Sequence, residues 1–165
     1  MKKYICFLLI ILCLFTVSCS SKNASASEIF YTIYEKLSPV SYGEIYLSNQ
    51  EKGTKHYMSP ALFATVYGDG TSLAEADLIE GYAVYLSSFT LPCEIAVFKC
   101  YSPSDTPKIE QMCIRRLDFL KKHFKNTEYE NILSSASVIS NGKYVIMIIS
   151  DASEDLSEIS RSALS

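Results

Sequence analysis

Five consecutive apolar residues, Val145-Ile146-Met147-Ile148-Ile149, set the tightest limit on how this chain folds. Side chains along a strand alternate between two faces. A run that is apolar at every position leaves no face for water, so the strand must be covered on both sides. Asn141-Gly142 precedes it, between Ala136–Ser140 and Lys143–Ser150. That dipeptide supplies the positive φ angles of a two-residue type I′ turn. The pattern predicts a hairpin whose second strand is central, in a fixed register, because a one-residue slip would turn every side chain over.

Upstream, Pro107 to Lys125 is the clearest helix. Ile109, Met112, Cys113, Leu117, Leu120 and Phe124 recur at three- and four-residue spacing and form one apolar stripe. Gly81–Ser87 alternates Tyr82, Val84 and Leu86 against Ala83 and Tyr85, which reads as a strand. After a turn at Ser88–Pro92, Glu94–Tyr101 is a second strand with Ile95, Ala96, Val97 and Phe98. Ser27 and Glu28 open an amphipathic helix through Ile29 and Ile33 to Leu37, which Ser38-Pro39 ends. Residues 39–58 are weakly patterned and read as loop, with one short strand at Glu44–Leu47 a possibility within it. Ser59-Pro60 is an N-cap followed by Pro at the first helical position, and the helix Pro60–Tyr67 stops at Gly68-Asp69-Gly70. This Gly pair is too sparse for a phosphate loop and reads as a turn. Asp151–Ser153 is expected to cap a last helix carrying Leu156, Ile159 and Leu164. The expected fold class is α+β: a four-stranded sheet of two hairpins joined by the long amphipathic helix, with N- and C-terminal helices packed on it.

The leader is read apart from the fold. Met1-Lys2-Lys3 is a short positive segment, and Tyr4 to Ser18 is uncharged and nearly all apolar. A spanning helix needs about 20 apolar residues, so the shorter run followed at once by polar residues reads as a signal peptide, residues 1–18. Thr16-Val17-Ser18-Cys19 is similar to a bacterial lipobox, in which the Cys thiol receives a diacylglyceryl group and becomes the first residue. Thr16 departs from the Leu usual in such motifs. Ala24-Ser25-Ala26 is the rival, an A-x-A site for ordinary secretion. Residues 19–27 are small and polar and read as a flexible tether, leaving 28–165 as a single domain. Losing the leader takes Lys2 and Lys3 from the 15 basic residues and nothing from the 18 acidic ones, which moves the net charge from −3 to −5. That balance argues against nucleic acid as a partner, while 48% hydrophobic and 20% charged residues exclude a disordered chain.

Cys6 and Cys13 leave with the leader. With Cys19 acylated, Cys93, Cys100 and Cys113 remain, an odd number that makes no full disulfide framework. Cys93 and Cys100 stand at the two ends of one strand, roughly 23 Å apart at about 3.3 Å per residue. They read as buried small hydrophobes, as does Cys113 on the helix stripe, with a Cys100–Cys113 bridge left open. There is no Cys-x-x-Cys pair, and only His56 and His123 could add nitrogen ligands, so no metal or other cofactor is expected.

No Gly-x-Ser-x-Gly, His-Glu-x-x-His or P-loop occurs, and no catalytic residue is assigned. His56 and His123 read as solvated. Glu154, Asp155 and Glu158 suit the first turn of a helix. Lys108, Arg115, Arg116, Lys121, Lys122 and Lys125 face Glu110 and Asp118 along the long helix. They are either a solvated face or an attraction to lipid headgroups or wall polymer. Twelve Tyr and no Trp is an unusual balance. Tyr31, Tyr34, Tyr42, Tyr46, Tyr57 and Tyr67 either line a pocket for a planar or sugar-like ligand or pack half-buried with their hydroxyls in water.

Glu94-Ile95-Ala96-Val97-Phe98-Lys99, the helix with Arg115 and Arg116, and Asn141-Gly142-Lys143-Tyr144-Val145 together resemble the DUF4358 family. Val66-Tyr67-Gly68 and Gly81-Tyr82-Ala83-Val84-Tyr85 agree with its pattern. The resemblance covers roughly residues 60–151, plus the leader common among members from Gram-positive bacteria. It implies a surface lipoprotein and no reaction, cofactor or catalytic residue. Two functions follow as expectations. One is a membrane-tethered, extracytoplasmic, non-enzymatic module for a protein, wall-polymer or small-ligand partner, with an exposed apolar or aromatic patch and no buried charge cluster. The other is a small extracytoplasmic enzyme, with a cleft of convergent titratable groups.

Overall fold

The computed structural model describes residues 23–39, 42–68, 75–88, 90–152 and 154–165. The leader, Cys19, Asp69-Gly70 and Ser153 lie outside them. The order of elements is α1 (Ala26–Leu37), β1 (Gly43–Leu47), α2 (Pro60–Tyr67), a 3₁₀ turn (Ala76–Leu78), β2 (Ile79–Ser87), β3 (Glu94–Cys100), α3 (Thr106–His123), α4 (Glu130–Ser134), β4 (Ser137–Asn141), β5 (Tyr144–Ile149) and α5 (Leu156–Ala163).

The α+β class holds, and the sheet has five strands where four were expected. Its order is β1-β2-β3-β5-β4, with every neighbouring pair antiparallel. The fifth strand is the short segment within the weakly patterned region. Gly43 to Leu47 pairs with Ser87 to Ala83 and forms an edge. An edge strand is half-exposed, so its residues carry little periodic signal. Gly43 is required there by close approach: a Cβ would fall inside the ring of Tyr85 and against the carbonyl oxygen of Leu86. Gly43→Ala is therefore expected to lower stability by about 1–3 kcal/mol, the cost of overpacking, read as a lower urea midpoint. An unchanged midpoint would mean the edge strand yields freely.

The two hairpins, β2–β3 and β4–β5, are joined through α3 as expected. The second turn differs by one residue. Asn141 pairs with Tyr144, so Gly142 and Lys143 occupy the loop. Gly142 has φ +57, and Asn141 is not left-handed. One positive φ, at the first central position, is the mark of a type II′ turn and not the expected type I′.

Both faces of the sheet are covered. Val84, Ala96, Phe98, Cys100, Val145, Met147 and Ile149 point to one side, into a core with Phe63 and Tyr67 of α2 and Ile109, Met112, Leu117 and Leu120 of α3. Ala83, Tyr85, Ile95, Val97, Ile146 and Ile148 point to the other, against Ile29, Phe30 and Ile33 of α1 and Leu156 and Ile159 of α5. The apolar stripe of α3 thus lands where its spacing directs it, and β5 is central, between β3 and β4.

Three helix starts shift, two of them because the side chain that can reach free backbone N–H groups decides the boundary. Ser25, not Ser27, caps α1. Its hydroxyl accepts from Glu28 N–H at 3.2 Å, and Glu28 accepts from Ser25 N–H at 2.7 Å, a capping box. Asp155, not Asp151–Ser153, caps α5 through Ser157 and Glu158 N–H. The long helix begins at Thr106, whose hydroxyl donates to the Gly142 carbonyl at 2.9 Å and ties the helix start to the β4–β5 turn. The N-terminal boundary moves with the first cap. The tether expected over 19–27 meets the fold at Ala24, whose carbonyl accepts from Tyr144 Oη at 2.7 Å, and Ala26 is buried.

Candidate functional site

Two constellations stand out. The first joins α2, β3 and α3. Tyr67 Oη donates to Glu94 Oε1 at 2.7 Å, and Arg116 Nε and Nη2 each lie 3.0 Å from Glu94 Oε2. Glu94 is 2% exposed and the Arg116 side chain 16%. Glu94 opens β3 on the face toward α2 and α3, so Tyr67 at the end of α2 and Arg116 midway along α3 reach it from two sides. Burial pushes the Tyr67 phenol well above its ordinary range, and the Glu94 charge adds to it. The Cys113 thiol is likewise raised, by burial first and then by Glu94. Neither group is a nucleophile near neutral pH, because thiolate and phenolate are the forms that react. Every buried side-chain polar atom among the described residues has a partner. This is a closed polar staple between three elements. It is also a buried charge cluster, which the binding-module expectation lacked.

The second constellation is a cavity of about 300 Å³ at the end of the sheet where β2 begins, lined by Ser48, Tyr57, Met58, Pro60, Phe63, Ala76 and Ile79–Tyr82. The Phe63 and Tyr82 rings sit 5.6 Å apart. Burial raises the Tyr82 phenol, and the nearby Tyr57 adds to the shift. Glu80 lies at an irregularity in the β2–β3 register, and its Oε1 meets Lys99 Nζ at 2.9 Å. The loop that brings in Tyr57 is clipped to the sheet edge by His56. Its Nδ1 lies 2.8 Å from the Ile45 carbonyl oxygen, and its own carbonyl accepts from Leu47 N–H at 3.0 Å.

Of the six Tyr singled out from the sequence, Tyr57 lines this cavity. Tyr67 belongs to the staple, Tyr34 packs on Tyr85 and Phe30, Tyr46 is partly buried against the core that holds α2 and α3, and Tyr31 and Tyr42 are exposed. Tyr82 and Phe63 are the lining rings that the sequence reading missed, since both also fit ordinary core positions. His56 is half-buried and structural where a solvated ring was expected. His123 is exposed and stacks on Phe119. The cations of α3 are partly committed within the protein, Arg116 to Glu94 and Arg115 to Glu75. Cys93, Cys100 and Cys113 are free and buried. Among the described residues, no group of three His, Cys, Asp or Glu is placed to hold a metal ion. No described helix is long and apolar enough to cross a membrane.

The raised groups carry a pH prediction. Burial raises Tyr67, Tyr82, Tyr85, Tyr144 and Cys113 in the fold. The unfolded chain therefore loses these protons first as pH rises. Their contribution is intact below the unfolded values, about 8.5 for a thiol and 10 for a phenol, and is lost as pH climbs past them toward the folded values. Urea midpoints should hold from pH 7 to 8 and fall from pH 9 to 11. A flat profile to pH 11 would contradict the assignment.

Fold and site together define a small α+β domain with an antiparallel sheet sheathed on both faces, a closed polar staple and an aromatic-lined cavity at one sheet end. Residues 74–150 match the family model of DUF4358, a domain of unknown function. The matched segment supplies β2 to β5 with α3 and α4, while α1, β1, α2 and α5 pack around it. No curated protein and no solved structure matches the chain.

Proposed function

We propose that the protein is an extracytoplasmic lipoprotein, held to the membrane through a diacylglyceryl group on Cys19, and that it is a non-enzymatic binding module whose ligand seat is the cavity at Tyr57, Phe63 and Tyr82. The observation that carries the binding reading is that cavity. It combines aromatic walls with a few polar groups, the composition of small-molecule sites. The buried Tyr67–Glu94–Arg116 cluster is, by contrast, closed and fully partnered.

The anchor reading is supported by the start of the fold. Cleavage after Ala26 would remove Ser25 and its capping box and detach the Ala24 carbonyl from Tyr144. Loss of an N-cap costs about 0.5–2 kcal/mol, and a new charged amine would meet the positive end of the α1 dipole. Cleavage before Cys19 keeps all of these contacts. Ala24 is five residues from Cys19, a reach of roughly 18 Å at about 3.6 Å per residue, so the β4–β5 turn would sit near the bilayer. Helix α3 starts at that turn and runs away for 18 residues, about 27 Å. Its late lysines would then stand off from the lipid, where they suit the helix C-terminus. Mass spectrometry of the membrane fraction tests the anchor: Cys19 carrying diacylglycerol as the first residue is expected, and a soluble product beginning at Ser27 would overturn it.

A further inference from the structure

The two edges of the sheet differ. At β1 a loop closes part of the edge: Leu47 N–H donates to the His56 carbonyl at 3.0 Å, and His56 Nδ1 lies 2.8 Å from the Ile45 carbonyl oxygen. At β4 the outward groups follow from the parity of the ladder. Cys100 N–H donates to the Lys143 carbonyl at 2.7 Å, so Lys143 turns its carbonyl to β3 and Tyr144, the next residue, turns its backbone to β4. Antiparallel bonding alternates along a strand. Asn141, Ile139 and Ser137, opposite Tyr144, Ile146 and Ile148, therefore direct their N–H and C=O groups to β5. Val138 and Ser140 direct theirs out of the sheet. Among the described residues no other backbone meets those groups. Val138 and Ile139 are half-buried and Ser140 is exposed, so α3 and α5, on the two faces, leave this edge open.

A row of free donors and acceptors accepts another strand, and natural edges are guarded by charge, Pro or a bulge. Ser137-Val138-Ile139-Ser140-Asn141 has no charge and no Pro, and its register with β5 is unbroken. It is also complementary to itself. The two outward residues flank Ile139, so an antiparallel copy centred there sets Val138 against Ser140 of the second copy and Ser140 against its Val138, each pair exchanging both bonds. On the α1 side of the sheet Ile139 meets its own twin, a β-branched apolar pair, and Asn141 meets Ser137 of the second copy. No like charges are opposed. The same patch serves both copies, as a twofold contact requires, and the His56 clip at β1 helps to stop the assembly at two. The twofold axis stands normal to the sheet. Both copies then show the α1 face, where the chain enters at Ala24, to the same side, and tethers from both reach one membrane.

We infer that the protein pairs with a second copy of itself through the free edge of β4, with Ile139 on the twofold axis, joining two five-stranded sheets into one. The test uses the full chain in detergent micelles. Sedimentation at tens of micromolar should give a dimer. Val138→Pro removes an outward N–H and leaves the bonds to β5 in place. It should weaken the dimer tenfold or more, because the twofold removes two bonds at once, with the circular-dichroism spectrum kept. Cross-linking fixes the register even where that variant fails to fold. Cα atoms at a directly opposed pair of this kind lie about 4.5 Å apart, within the ~4.4–6.8 Å that a disulfide spans. Ile139→Cys should therefore give a disulfide-linked dimer on air oxidation, above the level of the unchanged chain, whose Cys93, Cys100 and Cys113 are buried. The two copies of Asn141 stand four positions apart in this register, roughly 13 Å along the strand, so Asn141→Cys should stay monomeric. Random collision would give the opposite order, since Asn141 is exposed and Ile139 half-buried. A monomer at every concentration, cross-linking at Asn141→Cys equal to that at Ile139→Cys, or a dimer that a folded Val138→Pro variant leaves unchanged would each overturn the inference.

Discussion

Glu94→Ala should be the most damaging single substitution in the staple, lowering stability by about 3–5 kcal/mol, the cost of removing one partner of a buried ion pair. Glu94 accepts from Tyr67 and from two nitrogens of Arg116. Without it, a guanidinium stays enclosed with no counter-charge and a buried phenol loses its acceptor. Glu94→Leu combined with Arg116→Met should recover much of the loss, because apolar groups of similar size need no partner at that site. Urea denaturation of the three proteins, wild type, single and double, reads both effects. A single variant within about 0.5 kcal/mol of wild type would show that water reaches Arg116 and that the cluster is no staple. A double variant as weak as the single would put the cost in packing and not in the stranded charge.

Ile148→Ala should cost about 2–5 kcal/mol through lost burial and the cavity left behind. Ile148 is fully buried in β5, on the face that α1 and α5 cover. Its neighbours there include Ile95 and Ile146 in the sheet, and backbone pairing from both sides holds the strand in place. The surrounding layer is thus poorly able to collapse into the gap. Lys122→Ala, at an exposed position late in α3, should stay within about ±0.5 kcal/mol. Equal urea midpoints for the two variants would contradict the facing of the sheet. The expected difference is a large share of the ~5–15 kcal/mol that keeps a domain folded.

Legibility in the sequence follows how local the cause is. The helix at Pro60 is announced by Ser59, whose hydroxyl accepts from Leu62 N–H three residues on. The stripe of α3 is a matter of spacing within one segment, and the double-sided burial of β5 follows from five apolar neighbours in a row. The type II′ turn was misread by one position because Asn141-Gly142 allows either register, and the pairing of Asn141 with Tyr144 settles which one forms. The caps at Ser25 and Asp155 were missed for a similar reason. Several Ser and Asp residues cluster at each helix start, and only the three-dimensional path of the chain shows whose oxygen reaches the free N–H groups.

The candidate sites were less legible. Tyr67 and Glu94 are 27 positions apart, and Glu94 and Arg116 are 22 apart. Neither separation corresponds to a motif, since the geometry arises from a sheet and two helices meeting. The cavity draws Ser48 and Tyr57 from before helix α2 and Ile79–Tyr82 from after it, and its Phe63 and Tyr82 rings satisfy the pattern of plain core residues. Periodicity, turn chemistry and apolar runs act between residues a few positions apart, so the sequence by itself determined the α+β class, the central strand, both hairpins and the inward face of α3. The edge strand β1, the exact register of the second hairpin, the Glu94 staple and the aromatic cavity were decided only by the tertiary structure. Each depends on groups far apart in the chain whose contact becomes favourable only after the sheet and its two helical layers have closed around them.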